Sequence, residues 1–232
     1  TGRYEIASFK KAYHGSTIGA LSVLGDDYWK QSFLPLMPCV NFLEFNNVED
    51  LQKITEQTAA VIVEPIQAEA GVVLPQNDFL NKLRQRCDET GTLLIFDEVQ
   101  TGFGRTGKLF AFEHYEVVPD IITFAKALGG GMPIGAFVAD HKIMESFQFA
   151  PELGHITTFG GHPVSAAAGL AALNFLSNSS LIEEVQEKEN IFRKNLTNSK
   201  IKSITGIGLL LAVELEDSEA VSKFLNLGVK KG

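Results

Sequence analysis

Short apolar runs alternate along the chain with segments of helical periodicity, and this alternation limits the possible fold more than any other feature. Strands are predicted at the apolar runs 59–63, 93–96, 121–124, 134–139 and 208–215. Helices are predicted at 77–89, 108–115, 165–176, 181–196 and 218–227, and Gly91 is predicted to cap the first of them. Such alternation predicts an α/β domain with a mostly parallel sheet flanked by helices. Ligands bind at the carboxyl ends of such strands, so the residues that follow each run are candidates for chemistry.

Composition and charge exclude several classes of protein. Of the 232 residues, 45% are hydrophobic and 21% charged, as in ordinary globular proteins, and the net charge of -8 argues against a nucleic-acid partner. No apolar run approaches the roughly 20 residues of a membrane span, and the first residues do not resemble a signal peptide. Cys39 and Cys87 lie far apart and match no zinc spacing, so we expect no metal site, no disulfide framework and a cytoplasmic protein. Because the chain begins without Met and stops just after a helical pattern, we expect an internal piece of a longer protein.

Two predicted strands are followed by side chains that could carry chemistry. Asp97 follows the run 93–96, where a carboxylate is costly without a partner; it is either a cap or surface ion pair, or an anion facing a cationic ligand. Lys126 follows the run 121–124 and precedes the glycines 129–131. It is either simply solvated or a catalytic lysine, which must be partly desolvated so that its free amine is nucleophilic. The glycines would let a bulky ligand approach the backbone.

Two glycine-containing segments resemble anion-binding loops. Residues 157–161, Thr-Thr-Phe-Gly-Gly, precede a predicted helix and form either a phosphate site or a plain loop. Residues 102–109 nearly match a P-loop, but Leu109 stands where that motif needs Ser or Thr. The residues 97–101 also separate these glycines from the preceding strand, so we do not predict nucleotide binding.

Taken in order, five motifs resemble the class-III aminotransferases over nearly the whole chain. They are Val-Glu-Pro-Ile-Gln-Ala-Glu-Ala-Gly at 63–71, Phe-Asp-Glu-Val-Gln-Thr-Gly at 96–102, Gly-Arg-Thr-Gly at 104–107, Lys-Ala-Leu-Gly-Gly-Gly at 126–131 and Thr-Phe-Gly-Gly at 158–161. The chain looks most like the acetylornithine and ornithine aminotransferase branch. The resemblance implies the large domain of fold type I (aspartate aminotransferase-like) enzymes, which binds pyridoxal 5′-phosphate (PLP). This domain would span 1–195, incomplete at its N-terminus, and 196–232 would begin a truncated small C-terminal domain.

The resemblance also implies roles for single residues. Lys126 would hold PLP as a Schiff base and move the substrate proton, and Asp97 would keep the pyridine nitrogen protonated so that the ring acts as an electron sink. The other implied cofactor-binding residues are Tyr13 and Val99 on the two ring faces, His14 beside Tyr13, Gln100 at the phenolic oxygen, and Thr158 at the phosphate of the partner subunit in a homodimer with shared active sites.

In the substrate site, Glu69 would pair with an active-site arginine, and Glu64 would support it. Ala68 and His162 stand where the family has Gly and Asn, and both could retune the substrate pocket. The family's upstream phosphate-binding loop and downstream carboxylate-binding arginine are not found in this chain, and we expect the parent protein to supply them.

The resemblance therefore predicts a PLP-dependent aminotransferase that moves the terminal amine of acetylornithine, ornithine or a similar donor to 2-oxoglutarate. Because Lys126 and Asp97 are common to the whole family, other class-III activities remain alternatives: an aminomutase, an amine–pyruvate transaminase or a racemase. A PLP-binding or dimerising domain without catalysis is a further alternative. No membrane or nucleic-acid partner is expected.

Overall fold

The computed structural model describes residues 1–149 and 151–231, so Gly232, the last residue of the predicted second domain, lies outside the described residues. Six strands form the main sheet: β1 (Glu5–Phe9), β2 (Val40–Leu43), β3 (Thr58–Val63), β4 (Leu93–Asp97), β5 (Ile121–Phe124) and β6 (Ala136–Ala139). Their order is β2-β1-β3-β4-β5-β6, with the first five parallel and β6 antiparallel to β5. The predicted α/β fold with a mostly parallel sheet is confirmed.

Six α-helices accompany the sheets: α1 (Ile18–Ser22), α2 (Phe79–Thr90), α3 (His141–Met144), α4 (Pro163–Ser177), α5 (Val185–Asn195) and α6 (Ser218–Lys231). On α2, the side chains of Phe79, Leu83 and Cys87 recur at four-residue spacing and are fully buried. They pack in one core with residues of β3 and β4 such as Val61 and Phe96. Gly91 ends α2 with φ +63°, as its predicted capping role requires.

The sequence prediction differs from the structure at several elements. The predicted helix 108–115 is a single 3₁₀ turn at Ala111–His114, and the strand predicted from 134 begins at Ala136. Strand β2 was not predicted, and neither was β7 (Ile201–Ile207), which pairs with β8 (Leu210–Leu215) as an antiparallel hairpin. Both missed strands interleave polar and apolar residues over a short length, so neither forms a clear apolar run.

The β7–β8 hairpin lies against the loop that follows β4. The backbone N–H of Leu209 donates to the carbonyl of Arg105 at 2.9 Å. A Cβ on Gly208 would lie 2.7 Å from the backbone of Thr106, so only glycine fits at this contact. The loop that resembles a P-loop in sequence therefore packs closely against protein backbone.

No helix within the described ranges is both long and apolar enough to cross a membrane.

Candidate active site

Four neighbouring strands deliver the predicted site residues, apart from Thr158, to one edge of the sheet. Strands β1, β3, β4 and β5 are adjacent and parallel, so their carboxyl ends lie side by side. Asp97 ends β4 directly opposite Thr123 of β5, and Lys126 follows three residues later. Residues far apart in sequence thus meet where an α/β sheet binds its ligands.

The carboxyl group of Asp97 is buried and has two partners. Its side chain is 8% exposed, and Oδ2 lies 2.8 Å from Nδ1 of His14, whose side chain is 1% exposed. Oδ1 accepts the backbone N–H of Val99 at 3.1 Å. The contact with Val99 is the cap that one interpretation of Asp97 predicts, and the contact with His14 is a partner that the sequence did not predict. An ionised Asp97 carboxylate can only accept hydrogen bonds, so this contact requires the His14 tautomer with its hydrogen on Nδ1.

The second ring nitrogen of His14 is different. Nε2 is buried and has no hydrogen-bond partner in the part of the chain that the structure describes. His14 and Asp97 lie 83 residues apart, so no local motif could reveal that they pair. Only the order of the strands indicates the pairing. His14 follows β1 and Asp97 ends β4, and both strands end at the same edge of the sheet.

Lys126 has an unusual backbone conformation for a residue with a side chain. Its φ is +45°, in the left-handed region, at the start of the 3₁₀ helix Lys126–Gly129. Such a conformation costs roughly 1–3 kcal/mol and occurs preferentially at functional sites. Lys126 is exposed in this chain. The expected partial desolvation of the lysine is therefore not provided by the described residues.

A cavity of about 610 Å³ joins several of the predicted residues, and Lys126, Gln100 and Val99 all line it. Gln100 also donates from Nε2 to Oε1 of Glu69 at 3.0 Å, so Glu69 contacts a residue that lines the cavity. Asp97 does not line the cavity but is tied to it through its hydrogen bond to Val99.

Glu64, directly after β3, is 4% exposed. Burial raises the pKa of its carboxyl group from 4.5 to about 7, against the lowering effect of two backbone hydrogen bonds, from Ala68 and Tyr13, and of nearby His14. Glu64 is thus a buried acid close to the His14–Asp97 pair.

Thr158 lies apart from these groups. It is exposed, and its side chain makes no hydrogen bond to another predicted site residue within the described ranges. Tyr13 is 38% exposed at the sheet edge. Glu69, like Thr158, is exposed.

Two of the three glycines after Lys126 lie close to other parts of the protein. A Cβ on Gly130 would lie 2.9 Å from both the carbonyl oxygen of Ala168 and the Cβ of Ala172. A Cβ on Gly129 would lie 3.2 Å from Ile134. These two glycines therefore allow protein packing against α4 and its surroundings, whereas a Cβ on Gly131 would have no atom within 4 Å.

The family model described as "Aminotransferase class-III" matches residues 1–232. The [LysW]-aminoadipate semialdehyde/glutamate semialdehyde transaminase of Sulfolobus acidocaldarius is 44% identical over 100% of this chain and 62% of its own length. The acetylornithine aminotransferase of Clostridium acetobutylicum is 45% identical over 91% of this chain and 56% of its own length. A solved ornithine aminotransferase from Toxoplasma gondii, with PLP at partial occupancy in its active site, superposes with a TM-score of 0.86 at 34% identity, covering 95% of this chain and 53% of its own. The chain thus spans less than two thirds of each of these proteins. With the whole of its length matched, the chain belongs to the class-III aminotransferase family.

Proposed function

We propose that the protein containing this chain is a PLP-dependent aminotransferase in which Lys126 bonds the cofactor covalently. One observation carries the proposal. Asp97 ends β4 and Lys126 follows β5, the adjacent parallel strand, at the ligand-binding edge of the sheet, in a chain that matches an aminotransferase family throughout.

The residues present fit the chemical groups of PLP, the cofactor of this family. The aldehyde requires an accessible amine, and Lys126 is exposed. The ring nitrogen requires an anion, and Asp97 is a carboxylate fixed by His14. The phenolic oxygen requires a donor, which Gln100 supplies from its amide beside Lys126 in the same cavity. When bound, PLP supplies a carbonyl that reacts with amines and a ring that withdraws electrons.

In this proposal each residue has a defined task. Asp97 keeps a proton on the pyridine nitrogen, because a buried anion favours the charged form of its neighbour. His14 holds the Asp97 carboxylate in place through the contact between Nδ1 and Oδ2. Lys126 moves a proton to and from the substrate carbon. Tyr13 and Val99 would hold the two faces of the ring.

The proposed donor is a molecule with a terminal amine, such as acetylornithine or ornithine, and the acceptor is 2-oxoglutarate. Support comes from the relatives named as acetylornithine aminotransferases and from the ornithine aminotransferase of similar structure. The Sulfolobus relative is named for aminoadipate and glutamate semialdehydes, which are aldehydes, so the amine that corresponds to such an aldehyde is the second candidate donor. In this proposal Glu69 serves the substrate side of the site, next to Gln100.

We also infer that the protein is a homodimer with shared active sites, in which Thr158 reaches the phosphate in the partner subunit. The support is α4, which begins shortly after Thr158 and contains no charged residue. Val164, Leu170 and Phe175 on this helix are 56%, 59% and 65% exposed. An apolar surface of this kind is normally covered in the assembled protein. Cys39 and Cys87 are free thiols, in keeping with the proposed cytoplasmic location.

An amino-donor screen on the full-length protein tests the proposed reaction. We expect glutamate to form from 2-oxoglutarate when N-acetylornithine, ornithine or an aminoadipate-derived amine is supplied. Transfer from simple amines to pyruvate, with no glutamate formed from any of these donors, would contradict the proposal and favour an amine–pyruvate transaminase.

A further inference from the structure

Glu64 makes contacts that its proposed place beside the substrate does not explain. Glu64 is 4% exposed and lies directly after β3. A buried carboxyl group is costly unless its oxygens are satisfied, so its partners show what it does.

The two oxygens of Glu64 accept hydrogen bonds from two different loops. Oε2 accepts the backbone N–H of Tyr13 at 3.1 Å, in the loop that follows β1. Oε1 accepts the backbone N–H of Ala68 at 3.1 Å, in the turn that follows β3. Each oxygen is directed at backbone and the side chain is buried, so Glu64 is not placed to contact a substrate.

The two loops that Glu64 joins carry different parts of the site. The first loop carries Tyr13 and His14, and His14 contacts Asp97. The second carries Glu69, the residue after Ala68, whose carboxylate accepts the amide of Gln100. A single side chain therefore links the loop beside the proposed ring nitrogen to the turn beside the proposed substrate pocket.

We propose that Glu64 is a positioning residue that fixes the Tyr13–His14 loop and the Ala68–Glu69 turn at one separation. The roles of the two loops in holding cofactor and substrate rest on the proposed PLP chemistry. The hydrogen-bonded link between the loops does not. Substrate placement by Glu69 and cofactor placement by Tyr13 would then be set together, although their side chains make no direct hydrogen bond in the described ranges.

A glutamine at position 64 keeps the shape of the side chain but reduces the number of hydrogen bonds that it can accept. The amide of Gln has one oxygen and one NH₂ group, so it can accept from only one of the two backbone N–H groups. At the other site it places a donor against a donor, which costs more than losing a hydrogen bond. Glu64→Gln should therefore release either Tyr13 or Ala68 while keeping the volume of the side chain.

Glu98 provides a matched control. It is also fully buried after a strand, and its oxygens accept the backbone N–H groups of Ala111 at 2.9 Å and Phe112 at 2.8 Å. Its Oε2 also accepts the hydroxyl of Thr101 at 2.5 Å. These two amides belong to the 3₁₀ turn Ala111–His114, outside the Tyr13–His14 loop and the Ala68–Glu69 turn. Glu98→Gln thus imposes the same chemical change at a different place.

The test is backbone hydrogen exchange on the full-length protein without cofactor, followed by visible circular dichroism of the PLP-loaded protein. In Glu64→Gln we expect the amide of Tyr13 or Ala68 to exchange about tenfold faster, as for loss of one buried hydrogen bond. We expect the dichroism of bound PLP to decrease. In Glu98→Gln we expect faster exchange at Ala111 or Phe112, with Tyr13, Ala68 and the dichroism unchanged.

Wild-type exchange at Tyr13 and Ala68 in a folded Glu64→Gln protein would overturn the proposal. If that variant does not fold, Glu64→Asp is used, because its side chain is one methylene shorter and should retain only one of the two bonds; protection of both amides would then overturn the proposal. Failure of the proposed function has a different signature, since wild-type protein would bind no PLP while the exchange result at Tyr13 and Ala68 still held.

Discussion

Nδ1 of His14 lies 2.8 Å from Oδ2 of Asp97, and both side chains are buried. The pair connects the loop after β1 to the end of β4, two strands away across the sheet. Because the imidazole occupies one oxygen and the backbone of Val99 the other, the carboxylate is held in a single orientation. The anion is thus positioned before any ligand arrives, as electrostatic preorganisation requires.

Asp97→Asn keeps the shape of the side chain and removes its charge. We expect kcat to fall by at least roughly 100-fold, on the order of 3 kcal/mol of transition-state stabilisation, because the pyridine nitrogen is no longer kept protonated. PLP should still bind, since Lys126 is intact. Steady-state kinetics with PLP occupancy checked by absorbance measures the effect.

Asp120→Asn is the control for that variant. Asp120 also accepts a backbone N–H, from Leu94 at 2.7 Å, and pairs with Arg84 at 2.8 Å, but it precedes β5 and lies away from the site. We expect reduced stability and near-normal kcat. A fully loaded Asp97→Asn enzyme with near-normal kcat would reduce Asp97 to a turn cap, which Asn can replace.

Shared active sites can be tested by mixing two defective subunits, Lys126→Ala and Thr158→Ala. In a mixed dimer one site carries both defects and the other carries neither, if Thr158 serves the partner. We expect the mixture to be more active than either variant alone, after subunits have been allowed to exchange. Activity no higher than that of the better variant would place Thr158 in its own subunit's site.

Glu64 should make stability depend on pH. Its pKa in the folded protein is about 7, against 4.5 for an ordinary glutamate. The folded state binds the proton more tightly, so this stabilisation is present below pH 4.5 and is lost as pH rises through 7. We expect the unfolding free energy of wild type, relative to Glu64→Gln, to fall by up to roughly 3 kcal/mol over that range. Denaturant unfolding at fixed protein concentration measures it, and a difference independent of pH would refute the raised pKa.

Two glycines in helices predict opposite effects of the same substitution. A Cβ on Gly169 of α4 would lie 2.8 Å from the carbonyl oxygen of Leu128, in the turn that contains Lys126. We expect Gly169→Ala to destabilise the protein by roughly 1–3 kcal/mol through overpacking. Gly228 of α6 has no atom within 4 Å of its would-be Cβ, so Gly228→Ala should stabilise by roughly 0.5–1 kcal/mol. Thermal unfolding compares them, and equal effects would contradict the close contact at Gly169.

The sequence predicted what depends on local pattern. The run 121–124 became β5 without any shift, and Gly91 capped α2 as its position indicated. Strand β7 has the pattern Ile-Lys-Ser-Ile-Thr-Gly-Ile, and its hairpin depends on pairing with β8 rather than on an apolar run. The close packing around Gly130 could not be predicted either, because its neighbours Ala168 and Ala172 come from a helix about 40 residues later.

In the candidate site too, positions at strand ends could be predicted from the sequence, whereas contacts between distant loops could not. Asp97 and Lys126 could be predicted to lie at one edge because each comes at the end of an apolar run, and the fold places such positions together. The bond from Gln100 to Glu69 and the two bonds of Glu64 join loops that are distant in sequence, so only the folded chain reveals them. The exposure of Lys126 is a further property that the strand-end pattern did not predict.

The central claim is that Lys126 bonds PLP, and covalent trapping tests it most directly. Full-length protein is loaded with PLP, reduced with borohydride, digested and mapped by mass spectrometry. We predict the pyridoxyl group on Lys126, and no trapped cofactor in Lys126→Ala. Lys108 and Lys142 are internal controls, since both are exposed lysines on neighbouring segments of the same region of the chain. A pyridoxyl group on either of them, or on no lysine of the loaded protein, would contradict the assignment.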